Sequence, residues 1–121
     1  NHIGGDTVQE INSIESLDAA LEAAGDGPVF LFKHSTRCPI SSAAYRRVQE
    51  YLQTAGNAAP PVYCILVIES RPVSNAIAER FGVAHQSPQV ILVKNQHAVW
   101  HASHGAIDGP AMTRALASLD A

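Results

Sequence analysis

The 121 residues, 46% of them hydrophobic, suffice for one compact domain with a core, and one domain over 1–121 is expected. A formal charge of −3 without a basic run gives no support for a nucleic-acid or membrane-surface partner. The apolar runs have strand length, residues 62–68 among the longest, and fall far short of a membrane span.

Taken in chain order, residues 7–11 read as a short edge strand. Asn12 with Glu15 reads as a capping box, and Ile14, Leu17, Leu21 and Ala24 follow at helical spacing. Gly25 and Gly27 end that helix. Residues 29–32 are apolar throughout, as in a strand buried on both faces. A turn holding Cys38 comes next. The helix after it carries Ile40, Ala44, Val48, Tyr51, Leu52 and Ala55 inward, with Arg46, Arg47 and Glu50 outward. Gly56 and Asn57 stop it, and Pro60-Pro61 enforces a loop. Residues 62–68 form a second buried strand, rich in β-branched side chains.

Ser70-Arg71-Pro72 starts a helix with Val73, Ile77 and Phe81 inward, ended by Gly82. Residues 90–93 form a third buried strand. Asn95-Gln96 is a turn, and residues 98–102 pair back as a hairpin in which Trp100 packs. Asp108-Gly109-Pro110 opens a last helix with Met112, Leu116 and Leu119 inward. This alternation predicts an α/β fold with a central mixed sheet: mostly parallel, covered by helices on both faces, with an antiparallel strand from the closing hairpin. Ligands in such sheets gather at the carboxyl ends of the parallel strands. Cys38 and Arg71 each follow such an end, so the two are expected to share a rim.

Cys38 carries the chemistry. It stands before Pro39 at the first turn of a helix, which puts its sulfur near unpaired backbone N–H groups and the positive end of the dipole. That setting favours the thiolate, the form that attacks disulfides, and Arg37 adds a neighbouring positive charge. The spacing is C-x-x-C with Ser41 in place of the second cysteine. A serine closes no intramolecular disulfide, so regeneration has to be intermolecular. Ser41 either donates a hydrogen bond to the Cys38 thiolate or is a polar residue at a helix start. Arg37 is either a contributor to thiolate formation or a solvated charge. Cys64 lies inside an apolar run and reads as a buried structural thiol.

The element order, with a cysteine at this strand-to-helix turn, resembles the thioredoxin fold. In that fold a cis-proline faces the active cysteine, and Pro88 in His85-Gln86-Ser87-Pro88-Gln89 stands at the matching position. The backbone of Ser87 would then pair with an extended substrate. A closer resemblance covers almost the whole chain. Lys33-His34-Ser35-Thr36-Arg37-Cys38-Pro39-Ile40-Ser41, Arg71-Pro72-Val73-Ser74, the Pro88 block, and Trp100 followed by Ser103-His104 are similar to the monothiol bacilliredoxins. One departure is Gly105, where a larger residue is expected after the Ser-His pair.

The resemblance implies that Cys38 takes bacillithiol from protein mixed disulfides and that a second low-molecular-weight thiol then releases it. Bacillithiol is thus a co-substrate, its partners are bacillithiolated proteins, and no tightly bound cofactor is expected. Because bacillithiol bears carboxylates, Arg71 is the candidate anchor through bidentate hydrogen bonds, though it also suits a strand-end or helix-end partner. His34 and His104 either border the thiol site or fill polar gaps. His97 and His101 share a strand face without an acidic or cysteine cluster, so no metal site is expected. Two other functions fit the same cysteine: an iron–sulfur carrier like the monothiol glutaredoxins, and a thioredoxin-like interaction module without turnover. With two cysteines, no disulfide framework and no signal-peptide pattern, the cytoplasm is the expected location.

Overall fold

The computed structural model describes residues 8–120. Five strands, β1 (Val8–Glu10), β2 (Val29–His34), β3 (Val62–Leu66), β4 (Gln89–Lys94) and β5 (His97–Ser103), alternate with four helices. The helices are α1 (Ile14–Ala24), α2 (Pro39–Ala55), α3 (Arg71–Phe81) and α4 (Gly109–Ala117). The sheet order is β1-β3-β2-β4-β5.

Side-chain alternation along the central strands builds two cores. Phe30, Phe32, Val62, Cys64, Val90 and Leu92 pack with Ala44, Val48, Tyr51 and Leu52 of α2 and Met112 and Ala115 of α4. Val29, Leu31, Ile65, Ile91 and Val93 pack with Leu17, Ala20 and Leu21 of α1 and Val73 and Ile77 of α3. Helices therefore cover both faces, which is why β2 and β4 read as continuous apolar runs rather than alternating ones.

The sheet is mixed, as expected, but the strand that runs against the others is β4 rather than the closing strand of the hairpin. β1 and β2 both pair parallel to β3, but β4 runs antiparallel to β2, and β5 antiparallel to β4. The cause lies after α3. A direct return from that helix would give a parallel strand, whereas here residues 82–88 double back along it. Ser74, in its first turn, lies beside His85, with Ser74 Oγ 3.4 Å from His85 Nδ1. β4 therefore begins at the edge where β2 ends.

Several local expectations shift. The first helix is capped by Ser13 with Ser16, which exchange side-chain and backbone hydrogen bonds, and not by Asn12 with Glu15. Thr7, placed in the first strand from sequence, lies outside the described residues. β3 stops at Leu66, and residues 67–70 form a turn. β2 runs on to His34 and so includes two polar residues. Ile40 is 57% exposed, while Ser41 takes the inward place. At 100° per residue Ser41 lies about 20° from the direction of Val48, and Ile40 about 80° away. Arg47 does not simply point outward: its Nε donates to the Ile107 carbonyl (2.6 Å) and its Nη2 to that of His104 (3.0 Å). On α4 the fully inward residues are Met112 and Ala115, with Leu116 half-buried, and Leu119, in the 3-10 turn past its end, is half-buried too.

Candidate active site

Strand register gathers the functional loops at one rim. Lys33 stands opposite Ile65 of β3 and Gln89 of β4, and Gln89 stands opposite Ser103 of β5. The carboxyl ends of β2, β3 and β5 and the start of β4 therefore coincide. The turn before Cys38, the turn before Arg71, the Ser87–Pro88 loop and the His104 turn all leave from this edge. Backbone bonds tie them: Val67 N–H donates to the His34 carbonyl (3.0 Å), and His104 N–H to that of Pro88 (3.1 Å).

Cys38 is the N-cap residue of α2, with extended backbone (φ −113°, ψ 120°) and Pro39 following at the first helical position. Proline fits there because its missing N–H would be unpaired anyway. The Cys38 carbonyl accepts from Ser42 N–H at 3.0 Å, and its own N–H donates to Ser35. Its thiol is free and half-buried. The sulfur makes no capping hydrogen bond.

Of the two roles open for Ser41, its hydrogen bonds fit the polar residue at a helix start rather than a donor to Cys38. Its Oγ accepts from Ser35 N–H (2.9 Å) and pairs with His34 Nδ1 (2.6 Å), both within the turn that carries Cys38. The buried hydroxyl fastens the start of α2 to the end of β2. His34 is itself buried, stacked on Phe32 at 5.5 Å and tilted against Tyr45 at 4.9 Å. Burial pushes its pKa below the ordinary histidine value, against an opposing pull from Glu69.

Ser87–Pro88 is a cis peptide bond at the start of β4. Pro88 is buried, and Ser87 Oγ is enclosed with no hydrogen-bond partner among the described residues. Arg37 is exposed on the turn one residue before Cys38. Arg71 is exposed at the first position of α3. His104 is exposed in a single 3-10 turn, with φ +54°. Gly105 beside it is open enough that a Cβ would meet nothing within 4 Å. Register thus collects all seven sequence-derived site residues, Arg37, Cys38, Ser41, Arg71, Ser87, Pro88 and His104, at one end of the sheet.

Cys64 lies in the middle of β3, 4% exposed, and burial first, then Glu10, push its thiol up to about 12. It stays protonated near neutral pH and is not joined to Cys38. Among the described residues no group of three or more His, Cys, Asp or Glu is placed to hold a metal ion.

Sequence reasoning gave no role to a polar set on the opposite face of β2. Lys33 is fully buried, its Nζ 3.2 Å from His85 Nδ1, with Ser74 and Gln89 buried around it. Desolvation lowers the Lys33 pKa to about 8. The available signal was periodicity: Lys33 continues the Val29, Leu31 alternation and so faces the α1–α3 core.

A five-stranded mixed sheet sandwiched by four helices, with a free cysteine at the strand-to-helix turn and a cis-proline on the same rim, defines a thioredoxin-fold thiol redox protein. A solved structure provisionally described as an oxidoreductase with a thioredoxin fold is 30% identical, with a TM-score of 0.81 over 90% of this chain and 93% of that one. A redox protein from Chlamydomonas reinhardtii is similar in fold at 21% identity and a TM-score of 0.78, this chain matching 37% of its length. A thioredoxin from Trypanosoma brucei brucei shares the fold at 10% identity and a TM-score of 0.76, over 95% of this chain and 92% of that one. Residues 9–112 match the family described as monothiol bacilliredoxin BrxC, and the chain belongs to that family.

Proposed function

We propose that this protein removes bacillithiol from protein mixed disulfides by monothiol exchange at Cys38. One observation carries the reading: Cys38 is a free thiol at the rim, and the chain holds no second thiol able to resolve it. Ser41 occupies the resolving position with its hydroxyl engaged by His34 and Ser35, and Cys64 is sealed within β3. Membership of the bacilliredoxin family favours bacillithiol as the small thiol.

The Cys38 thiolate attacks the bacillithiol sulfur of the mixed disulfide. A bond forms between these two sulfurs, the target's sulfur leaves as a thiolate and takes up a proton, and the target is reduced. A second low-molecular-weight thiol, as its thiolate, then attacks the bacillithiol sulfur of the Cys38 adduct. Cys38 is released as a thiolate, and the reducing equivalents for the target have come from the second thiol, which ends joined to bacillithiol in a disulfide. No cofactor takes part. The partners are bacillithiolated proteins and the small thiol, in the reducing cytoplasm that keeps such thiols available.

Mass spectrometry of the protein mixed with a bacillithiolated target tests the reaction. The adduct is expected to move to Cys38, and Cys38→Ala is expected to accept none. An adduct that remains on the target in the presence of the intact protein refutes the proposal.

A further inference from the structure

Next to the Ser87–Pro88 loop, the fully buried Lys33 ammonium meets His85 Nδ1 at 3.2 Å. A lysine ammonium has donors only, so Nδ1 must accept, and the ring proton of His85 then sits on Nε2. His85 is exposed, and the nitrogen turned to Lys33 and Ser74 is Nδ1, which leaves Nε2 on the side of the ring away from them. Ser74 Oγ, 3.4 Å away and buried, supports the same side of the ring.

Arg71 stands in the same first turn of α3 as Ser74, the residue that meets the His85 ring; burial, then Lys33 and Arg71, push the His85 pKa down. Arg71 stands at the first position of α3, where the helix dipole disfavours a cation, and no acidic residue in that turn offsets it. Ser70, the N-cap, makes no side-chain capping bond. Two donors, an imidazole N–H and a guanidinium, thus flank the first turn of α3, and among the described residues neither has an internal acceptor. A carboxylate is the ligand with matching charge and two acceptor oxygens.

We propose that His85, held by Lys33 as the Nε2–H tautomer, forms with Arg71 a carboxylate-binding site that seats an acidic low-molecular-weight thiol for exchange at Cys38. This rests on the exchange reaction above and adds the determinant of thiol choice. His85 and Arg71 touch the ligand; Lys33 is a positioning residue acting through His85.

The test uses one cysteine peptide as its mixed disulfide with bacillithiol, with glutathione and with mercaptoethanol, which has no carboxylate. Transfer rates to Cys38 are compared below saturation. Wild type is expected to favour bacillithiol over mercaptoethanol, and His85→Ala to cut that ratio about tenfold, as for the loss of one hydrogen bond to a charged group. An unchanged ratio in His85→Ala overturns the site while leaving bacillithiol exchange standing. Equal transfer of bacillithiol and glutathione, both dependent on His85, keeps the site and removes the bacillithiol assignment. A wild type indifferent to all three removes both. Ring 15N shifts at pH 7 report the tautomer directly: Nδ1 unprotonated in wild type, and the two forms mixed in Lys33→Met. A proton found on Nδ1 in the wild type overturns the role of Lys33.

Discussion

Ser41 shows how one hydroxyl substitutes structurally for what a second cysteine would do chemically. It meets the Ser35 N–H and His34 Nδ1 inside the turn that presents Cys38, and it is fully buried. Ser41→Ala leaves both partners without their bond. The expected loss is about 1–3 kcal/mol of stability, read as a lower midpoint in urea unfolding. An unchanged midpoint would show that these bonds carry no net stability. Residue type alone left two roles open for Ser41, thiolate donor and helix-start polar group. That it is the second, anchored to His34, depends on the ring position of a histidine seven residues earlier, which no local pattern encodes.

Among the elements, the β4–β5 hairpin is where turn chemistry can be improved. Its two-residue loop, Asn95-Gln96, has φ of +53° and +64°. Both signs suit the right-handed twist of the flanking strands, and asparagine tolerates the left-handed region, but glutamine does so only with strain. Gln96→Gly is expected to raise stability by about 0.5–1 kcal/mol, seen as a higher melting temperature without loss of Cys38 transfer. A fall would mean that the extra freedom of glycine in the unfolded chain outweighs the relieved strain. The turn itself was legible because Asn95-Gln96 interrupts two apolar strands. The direction of β4 was not: alternation of strands and helices favours parallel crossovers, and only the contact of residues 82–88 with the start of α3 reverses it.

Across the whole molecule, burial of basic groups ties stability to pH. His34 and His85 both have pKa values lowered in the fold, first by burial. Below about pH 6.5 the unfolded chain binds protons that the native chain refuses, so stability falls as pH drops through that value. It levels off once the native imidazoles also protonate. Buried His34 contributes most of this, since His85 is exposed and screened by water. Urea midpoints at pH 7.5 and 5.5 check it: the lower pH is expected to give the lower midpoint, and a flat profile would contradict the burial of neutral His34. Lys33 acts with the same sign at higher pH, adding stability between about 8 and its ordinary 10.5, until Cys64 and Tyr51, each raised to about 12, begin to ionise in the unfolded chain alone.

The amino-acid order by itself determined the elements, the two-sided core and the place of Cys38 at the strand-to-helix turn. These follow from periodicity and from Pro39 at a helix start, both of them short-range. Tertiary structure alone decided that β4 runs antiparallel, that Ser41 binds His34, and that Lys33 lies beneath His85. Each depends on groups far apart in sequence meeting across the sheet, and no spacing along the chain records that meeting.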